Sequence, residues 1–599
     1  MIFPKCLSLI VLPALAAANC KTAPGDAAWP SVEEWSALNQ SIGGTLIRTT
    51  PAASSCYAGN PLGSSYNCSS VKDHWSYAAY HAAWPESNDY SIYNNNSCVP
   101  PGVSGYTKDK GCSIGGMPQY IVNATTEEQV ATAMSWASQR DIRIVVKSTG
   151  HDLIGRSTGA YSLSIWTHNF KHIQHNPTWH LPGTNKTADV LICGGGNNWG
   201  TVYTAVHQMN RTVVGGEDAT VGLGGLIQNG GHGLLSSHYG LASDNVYQVT
   251  VITPDGRILT ANDAQNQDLF WAIRGAGGGQ FGVVTEFILQ THPIPDNVVT
   301  GGLTFYAASN SNASELASWI AFAELAAQIP TLMDSGITGT IMAATGESAS
   351  TYTGLNEVLP GPAVIISLIA YNSTVQAMNT TLHNLSTQLS NHTTNNLINT
   401  TLTAPTSQTY WSYTKPNFLA SQSAGATSRF TSRLLGKSEL SSLPQPDLIH
   451  YLQQISASQT GDGTLLIFGL QGGRGTANVP EQRRGSALPA WRSAYAHLMA
   501  YGGSVNATGD PAASLAEAAE WYESVLEPVW RDWAPNMGGY LNEGNPFSST
   551  WKRDFYGDGY ERLAEIKRKY DPTGSLWGYA GVGSDLWEYD LRSGLLCRV

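Results

Sequence analysis

Two glycine-rich stretches, about sixty residues apart, constrain this chain more than any other feature of its sequence. The first, KSTGHDLIGRS, spans 147–157 and follows the apolar, β-branched run 141–146, which is predicted to form a buried strand. Gly150 and Gly155 allow the backbone N–H groups of this loop to converge on one point, as in an anion site. The second stretch, GGEDATVGLGGLIQNGGHG, spans 215–233. Two such loops predict a protein built around a large phosphate-containing cofactor.

Composition limits the class of partner. The chain has 599 residues, a net charge of −12 and only 13% charged residues. No basic block is present, which argues against nucleic acid as a partner. A phosphate cofactor remains compatible with this composition, because backbone amides and helix N-termini bind phosphate without many lysines. At roughly 150 residues per domain, the length predicts two to four domains.

The N-terminus predicts export from the cell. Residues 1–18 combine one positive charge, a short apolar run and an Ala-rich end, which is the pattern of a signal peptide cleaved after Ala18. No later apolar run reaches the ~20 residues needed to span a bilayer, so we expect no membrane segment. Five Asn-x-Ser/Thr triplets between Asn372 and Asn399 predict a glycosylated surface. We therefore expect a secreted, extracellular glycoprotein.

Cysteine usage agrees with an oxidising compartment. The mature chain keeps seven cysteines, and four of them, from Cys56 to Cys112, lie in a segment rich in Ser, Asn, Gly and Pro. We expect 19–114 to be a loop-rich N-terminal extension held by two disulfides. The pairing stays open, and the odd number leaves one thiol over. The absence of a Cys-x-x-Cys pair argues against a zinc site.

Mixed periodicity predicts an α+β fold in the remainder of the chain. One α+β unit is expected over 115–297 and a second over 298–530, followed by a C-terminal segment, 531–599. Strands are predicted at 118–122, 141–146, 161–166, 188–193, 246–253, 282–291, 301–306, 363–371 and 466–472. Helices are predicted at 126–140, 199–209, 268–274, 314–328, 375–389 and 511–532.

Two other patterns are rejected as sites. A GxGxxG pattern at Gly277, Gly279 and Gly282 lacks the strand–glycine–helix order of a dinucleotide fold, because a helix precedes it and a strand follows. A polar run carries four histidines without acidic residues nearby in sequence, so we predict a solvated edge and no metal site; they are His168, His172, His175 and His180.

Two further histidines lie in or next to the second glycine loop. We interpret His232 and His238 as structural, although either is close enough in sequence to approach the cofactor.

Three ordered motifs resemble one known family. KSTGHDLIGRS (147–157), the stretch 218–246 and DLFWAIRGAGGGQFGVVTEF (268–287) are similar to the vanillyl-alcohol-oxidase and p-cresol-methylhydroxylase (PCMH) flavoproteins, nearest to the berberine-bridge-enzyme-like group. The ending YERLAEIKRKYDPTGSLW (560–577) resembles the terminal helix of that group. VGSDLW (582–587) is similar to fungal isoamyl-alcohol-oxidase-like proteins.

The resemblance implies the domain organisation. It implies a PCMH-type FAD-binding domain of two α+β subdomains over 115–297, to which 531–599 returns. It also implies an α+β substrate domain over 298–530, with an antiparallel sheet covered by helices.

The resemblance also implies how FAD is held. His151 matches the histidine that bonds to the 8α-methyl of the flavin. Asp218 stands where many relatives carry a second linking cysteine, so attachment through His151 alone is implied. The first loop is matched by Lys147, Ser148, Thr149, Gly150, Asp152, Gly155, Arg156 and Ser157. The second loop is matched by Asp218, Thr220, Val221, Gly222, Gly224 and Gly225, and the ribose or adenine contacts by Asp244, Val246 and Val284.

The chemistry implied is hydride removal from an alcohol, which needs a base for the hydroxyl proton. Tyr540 matches the tyrosine of the family's Y-x-N segment, and Asn542 is expected to orient that segment. A tyrosine with a pKa of about 10 needs a nearby positive charge or donors to act as phenolate. Glu543 and Glu217 are the alternative bases.

Two residues bear on the acceptor and the pocket. Val221 occupies the position that gates oxygen in relatives, and its small side chain is compatible with an oxidase. Gln471, on a predicted strand of the second domain, is a candidate to line the pocket.

The predicted protein is a secreted, monomeric, FAD-dependent alcohol oxidase that uses O₂ and makes hydrogen peroxide. The alternatives are a carbohydrate oxidase, a dehydrogenase with another acceptor, a flavin-carrying binding protein, and an extracellular glycoprotein without flavin. An open groove would favour a sugar substrate, whereas a small, closed, apolar pocket would favour a small alcohol.

Overall fold

The computed structural model describes residues 19–354, 357–391, 396–419, 423–424 and 429–599, so the predicted signal peptide, 1–18, lies outside the described residues. The described chain forms a mixed helix-and-sheet structure with two large sheet-based parts, which confirms the predicted α+β class.

The N-terminal extension is short on regular structure and is held by disulfides. Cys56–Cys68 and Cys98–Cys112 are the two predicted disulfides. A third bond, Cys20–Cys597, joins the two ends of the chain, and Cys193 remains a buried thiol. The regular elements of the extension are α1 (Val32–Ser41), β1 (Leu46–Arg48), α2 (Cys68–His74) and α3 (Ala78–Ala83).

The first FAD-side subdomain is built on a four-stranded sheet. Its elements are β2 (Tyr120–Val122), α4 (Glu127–Gln139), β3 (Ile144–Lys147) and β4 (Leu163–Trp166). β2, β4 and β3 run parallel, and β1 pairs antiparallel with β2, so the extension shares this sheet. α4 begins where predicted because Thr126 and Gln129 form a capping box and acidic residues fill the first turn.

The second FAD-side subdomain is a five-stranded antiparallel sheet in the order β5-β6-β10-β8-β9. Its strands are β5 (Ile173–His180), β6 (Thr187–Gly194), β8 (Val246–Ile252), β9 (Ile258–Asn262) and β10 (Val283–Gln290), and a separate two-stranded sheet is formed by β7 (Arg211–Thr212) and β11 (His292–Pro293). The helices of this subdomain are α5 (Trp199–Gln208), α6 (Leu223–Ile227), α7 (Ser236–Tyr239) and α8 (Gln267–Ile273). The histidine-rich run leads into the edge strand β5, where His175 bonds to Asp189 at 2.7 Å.

The substrate domain is a seven-stranded antiparallel sheet in the order β15-β12-β14-β13-β17-β18-β16. Its strands are β12 (Val298–Ala307), β13 (Ile337–Ala344), β14 (Ala363–Tyr371), β15 (Ile398–Gln408), β16 (Thr431–Gly436), β17 (Leu465–Leu470) and β18 (Ala494–Tyr501). Its helices are α9 (Asn312–Asp334), α10 (Gly346–Thr353), α11 (Val375–Asn391), α12 (Tyr410–Leu419), α13 (Gln445–Ile455), α14 (Arg474–Ala477), α15 (Pro511–Trp521) and α16 (Glu527–Trp533). The pattern-based prediction missed β13, β15, β16 and β18.

The two faces of this sheet differ because side chains alternate along each strand. On β17, Leu466, Phe468 and Leu470 enter the main hydrophobic core together with residues of α9 and α13, while Ile467 and Gly469 face a cavity. Among the described residues, α9 is the one helix long and apolar enough to cross a membrane, and 67% of its apolar window is buried inside the protein.

The C-terminal segment returns to the FAD-side domain, as the family resemblance implies. Its elements are α17 (Trp551–Tyr556), α18 (Tyr560–Tyr570), β19 (Trp587–Tyr589) and β20 (Leu596–Arg598). On α18, Lys567 Nζ donates to the carbonyl oxygens of Gln280 and Leu576 at 2.5 and 2.6 Å and pairs with Asp571 at 2.8 Å. Leu576 then forms a parallel bridge with Ile144 of β3, which places the tail beside the first glycine loop.

Candidate active site

A cavity of about 410 Å³ lies where the two glycine loops, the tail and the substrate sheet meet. Most of the predicted cofactor residues line it: Ser148, Thr149, Gly150, His151, Asp152, Arg156, Ser157, Asp218, Val221, Gly222, Gly224, Gly225 and Val284. The predicted catalytic residues Tyr540, Asn542 and Glu543 also line it, as do Glu217, His232 and Gln471. The sequence motifs therefore converge on one place.

Three predicted cofactor residues support the loops from behind. Lys147 Nζ is buried under the first loop and donates to the carbonyl oxygens of His81 and Trp84 at 3.2 and 2.8 Å. Gly155 has φ of +78°, and a Cβ there would come within 2.4 Å of the Tyr93 ring. Thr220 Oγ1 donates to Asp218 at 2.7 Å. These three residues shape the site without lining the cavity.

Two other predicted contacts are not at the cavity. Asp244 accepts hydrogen bonds from the Arg492 guanidinium at 2.7 and 2.9 Å and from the Leu241 amide at 2.9 Å. Val246 is fully buried at the start of β8. Both carry structural contacts elsewhere. The lining beside Val284 is supplied instead by residues that the sequence did not single out, namely Gln280, Trp577, Gly578 and Gly581.

The lining fits the implied FAD. Two glycine loops offer backbone N–H groups, and Arg156 adds one cation, which together suit a diphosphate. A Cβ at Gly222 would come within 2.4 Å of Ser148 Oγ, so the two loops approach as closely as glycine permits. A Cβ at Gly225 would meet no atom within 4 Å, which leaves open space on the cavity side of the loop.

His151 lies between two carboxylates. Its Nε2 atom is 3.1 Å from Asp218 Oδ2 and 3.8 Å from Asp89 Oδ2. Burial acts to lower the pKa of His151, but the hydrogen bond to Asp218 and the charges of Asp89 and Asp218 outweigh it and raise the pKa to about 9. Asp218 keeps a pKa below its usual value, because hydrogen bonds from His151 and Thr220 outweigh burial. Asp89, by contrast, has its pKa raised to about 7 by burial.

Asn542 joins the tail to both glycine loops. Its Oδ1 accepts a hydrogen bond from Arg156 Nη2 at 2.6 Å, and its Nδ2 donates to the Gly225 carbonyl at 3.0 Å. The same Nδ2 donates to the Tyr540 hydroxyl oxygen at 2.7 Å. This geometry matches the orienting role expected for Asn542.

Tyr540 does not have the environment of a phenolate. Its side chain is 3% exposed, and burial, reinforced by the negative charge of Glu543, raises its pKa well above the usual value. The hydrogen bond from Asn542 and the charge of Arg156 lower that pKa too little to compensate. The effect of Arg156 is therefore outweighed, and the environment of Tyr540 favours the neutral phenol.

Glu543 forms a buried cluster with two histidines. His232 Nε2 lies 3.0 Å from Glu543 Oε2, and His497 Nδ1 lies 3.4 Å from the same oxygen. Burial acts to raise the pKa of Glu543, but the charge and hydrogen bond of His232 hold it below the usual value. The pKa of His232 is raised, while burial lowers that of His497 to about 3. The directions of these shifts favour an ionised Glu543 paired with His232 and disfavour a charge on His497.

Glu217, the other alternative base, is tied to the substrate sheet. Gln471 Nε2 donates a hydrogen bond to Glu217 Oε1, which links the second glycine loop to the end of β17. Burial raises the pKa of Glu217. Glu217 therefore positions Gln471 through this hydrogen bond.

Comparison with known proteins identifies the family. The model for an FAD binding domain matches residues 118–262, and the berberine and berberine-like model matches 539–582. The FAD-linked oxidoreductase apf9 of Gibberella fujikuroi is 32% identical over 99% of this chain and 100% of its own length. The VAO-type flavoprotein oxidase VAO615 of Thermothelomyces thermophilus is 32% identical over 97% of this chain and 95% of its own.

The chain belongs to the berberine-bridge-enzyme-like, VAO-type FAD-linked oxidoreductases. Solved VAO-type flavoproteins of Myceliophthora thermophila share the whole fold. MtVAO615 superposes with a TM-score of 0.82 at 30% identity, covering 97% of this chain and all of its own. MtVAO713 gives 0.85 at 27% identity with the same coverage. As a VAO-type flavoprotein, the chain binds FAD through the domain that carries both glycine loops.

Two functional candidates in this VAO-type site escaped the sequence patterns. His497 is the one polar cavity-facing residue of β18, and the alternation of AYAHLMAY was the available signal. Asp89 lies in the irregular extension and is 1% exposed. No local pattern marks its position, because the extension reaches the first loop only through its tertiary fold.

Proposed function

We propose that this oxidoreductase removes a hydride from the CH–OH carbon of a small alcohol and passes the electrons to O₂, giving an aldehyde or ketone and hydrogen peroxide. The observation that carries the proposal is the Glu543–His232 pair, which lies half-buried on the cavity wall next to the hydroxyl of Tyr540. Bound FAD supplies the two-electron acceptor, and the chain's own side chains bind the substrate and take its proton.

Glu543 is the proposed base. His232 keeps it ionised inside a buried site, and its second oxygen, Oε1, has no interaction with either histidine ring. A carboxylate is a weak base towards an alcohol. However, the hydroxyl becomes strongly acidic as the hydride leaves, so the proton is transferred within the same step.

Tyr540 is the proposed donor to the substrate oxygen. Its own oxygen already accepts a hydrogen bond from Asn542, which leaves the O–H hydrogen available. A neutral phenol that donates one hydrogen bond holds the hydroxyl in reach of Glu543. Asn542 fixes the direction of that bond through its contact with Arg156.

The substrate side supports a small alcohol. Thr340, Ile467, Gly469 and Met499 of the substrate sheet face the cavity together with His497. Among the described residues, this wall contributes no Trp, Tyr or Phe that would act as a platform for sugar rings. Chitooligosaccharide oxidase shares the fold at 20% identity and a TM-score of 0.57, a distance at which its substrate carries no weight for this chain.

O₂ as the acceptor is supported by two observations. The relative VAO615 is described as an oxidase. Val221, at the position that the resemblance assigns to oxygen gating, lines the cavity with a small side chain. Export and glycosylation are part of the same proposal, and three disulfides among the described residues fit an oxidising compartment. We also propose that the enzyme is a monomer.

A substrate screen tests the reaction. The purified yellow protein is mixed with primary alcohols and, separately, with oligosaccharides, and both O₂ uptake and peroxide are measured. We expect equal amounts of O₂ consumed and peroxide formed with small alcohols. Reduction of a dye without peroxide would identify a dehydrogenase, and turnover of sugars alone would identify a carbohydrate oxidase.

Covalent attachment through His151 alone is the remaining part of the proposal. A denaturing gel viewed under ultraviolet light should show a fluorescent band for the wild type and none for His151→Ala. His172→Ala is the matched control, because His172 lies at the exposed sheet edge and pairs with Glu286 at 2.9 Å. A band that survives in His151→Ala would place the link elsewhere.

A further inference from the structure

The disulfide-held extension is part of the cofactor site. The Asp89 amide donates to the Gly150 carbonyl at 3.1 Å, and Lys147 of the first loop donates back to carbonyls of the extension. These reciprocal bonds hold the segment around Asp89 directly behind His151. Neither the resemblance nor any motif assigned a function to this segment.

The side chain of Asp89 is poorly explained by packing alone. It is 1% exposed, and among the described residues neither of its carboxylate oxygens has a hydrogen-bond donor. Burying an ionised carboxylate without donors is costly. Its nearest charged group is His151 Nε2, at 3.8 Å from Oδ2. The Asp89 carboxylate is held beside His151 despite the free-energy cost of its burial, which points to a role in the chemistry of His151.

Asp218 and Asp89 are equipped for different tasks. Asp218 Oδ1 accepts hydrogen bonds from both the amide and the hydroxyl of Thr220 at 2.7 Å, while Oδ2 accepts from His151. So many donors keep Asp218 ionised and make it an orienting group. Asp89 has none of these donors, and burial raises its pKa to about 7, so it can take up a proton near neutral pH. Lys147, Asp152 and Glu86 are the other charged groups nearby, and Lys147 is the one cation among them.

We propose that Asp89 is the proton acceptor for covalent flavin attachment, with Asp218 holding His151 so that Nε2 faces the two carboxylates and Nδ1 bonds to the 8α carbon. The inference rests on the proposed tether through His151. Bound FAD would supply the two-electron oxidant for this step. One C–H bond of the 8α-methyl group would break as Nδ1 of neutral His151 forms the new C–N bond, and two electrons would pass to the flavin. The two protons released, one from the 8α carbon and one from Nε2 by way of Asp89, would balance that reduction, and O₂ would then take up the electrons and protons as hydrogen peroxide.

The covalent share of bound flavin tests this role. Wild type, Asp89→Asn, Asp89→Glu and Asp218→Asn are purified, total FAD is read from absorbance, and acid precipitation separates linked from released flavin. Asp109→Asn is the matched control, an exposed carboxylate of the same extension. We expect Asp89→Asn to bind FAD but to link it at a rate lowered roughly 100-fold, with Asp89→Glu restoring part of the linkage.

Four outcomes separate the possibilities. Linkage in Asp89→Asn at the rate of Asp109→Asn would overturn the proposal. An equal loss of bound FAD in Asp89→Asn and Asp89→Glu, with normal linkage of whatever FAD remains, would assign Asp89 a structural role and also overturn it. A wild type without linked flavin would remove the tether and this inference together. Linkage that depends on Asp89 in a protein that oxidises no alcohol would keep the inference and remove the proposed reaction.

Discussion

The cavity has two walls that are built in opposite ways. The FAD-side wall is built mainly from two glycine loops, 147–157 and 215–233. Each loop is a short stretch of consecutive residues, so its shape is encoded by neighbours in sequence. The substrate wall consists of single side chains from β13, β17 and β18, brought together by strand pairing over 160 residues of chain. The two glycine loops are therefore encoded locally, whereas the rest of the cofactor lining, such as Gln280 and Trp577, depends on the tertiary fold and the substrate wall depends on long-range register.

The walls also differ in charge. His151 on the FAD side sits between Asp89 and Asp218, whereas His497 on the substrate side is a neutral imidazole with a pKa of about 3. The proposed base belongs to neither wall. Glu543 comes from the tail, which bonds to the second glycine loop through Asn542 and meets the substrate sheet at His497.

The largest expected effect comes from the tail. Glu543→Gln keeps the shape of the side chain and its bond to His232 but cannot accept the hydroxyl proton. We expect kcat to fall roughly 10²–10⁴-fold, the usual contribution of a general base. The flavin content should not change, because the glutamine keeps the contact with His232 of the second glycine loop. Stopped-flow measurement of flavin bleaching isolates the chemical step.

Glu481→Gln is the control for Glu543→Gln, since Glu481 is an exposed glutamate of the substrate domain. A Glu543→Gln enzyme with wild-type bleaching would remove the proposed base and return the role to Tyr540 or Glu217.

Shortening Ile467 on the substrate wall should change the substrate preference of the enzyme. Ile467→Ala enlarges the cavity, so we expect kcat/KM for the smallest substrate to fall roughly 10-fold and the preference to shift towards bulkier alcohols. Flavin content and linkage should stay at wild-type levels.

Leu466→Ala is the matched control, because Leu466 is next to Ile467 on β17 but faces the core. It should lower stability by about 2–5 kcal/mol and leave the substrate preference unchanged. Equal effects of the two variants on substrate preference would contradict the assignment of faces on β17.

The same contrast explains what sequence could predict. The loops around His151 and Asp218 were found because their glycines follow one another along the chain. Asp244 and Val246 were misplaced at the cofactor, since a motif match cannot tell a lining residue from one that pairs with Arg492 or fills the sheet. The cavity-facing residues of β13 and β18 were missed, because neither strand was predicted and facing direction depends on register.

A smaller effect is expected from Tyr540→Phe. If Tyr540 donates one hydrogen bond, its loss costs about 0.5–1.5 kcal/mol and slows bleaching roughly 2–13-fold. Tyr522→Phe removes another buried hydroxyl, which donates to the Arg429 carbonyl at 2.5 Å away from the cavity lining, and should affect stability alone. A loss as large as that of Glu543→Gln would make Tyr540 the base after all.

The smallest effect concerns a buried acid behind the substrate wall. Glu527 on α16 accepts hydrogen bonds from Thr431 of β16 at 2.7 Å and from Asn545 of the tail at 3.2 Å, and burial raises its pKa to about 7. Because this pKa is higher in the folded than in the unfolded chain, the stability contribution of Glu527 is fully present below pH ~4.5 and is lost as the pH rises through about 7.

Glu527→Gln keeps the accepting oxygen without the charge. It should therefore melt a few degrees higher than wild type at pH 8, by about 1–3 kcal/mol of unfolding free energy, and show no gain at pH 4.5. Turnover and flavin linkage should be unchanged. If the gain in melting temperature of Glu527→Gln over wild type were the same at pH 8 and pH 4.5, the neighbours of Glu527 would stabilise its ionised form. The acid behind the substrate wall would then resemble Asp218 on the FAD side, whose neighbours also favour the charged form.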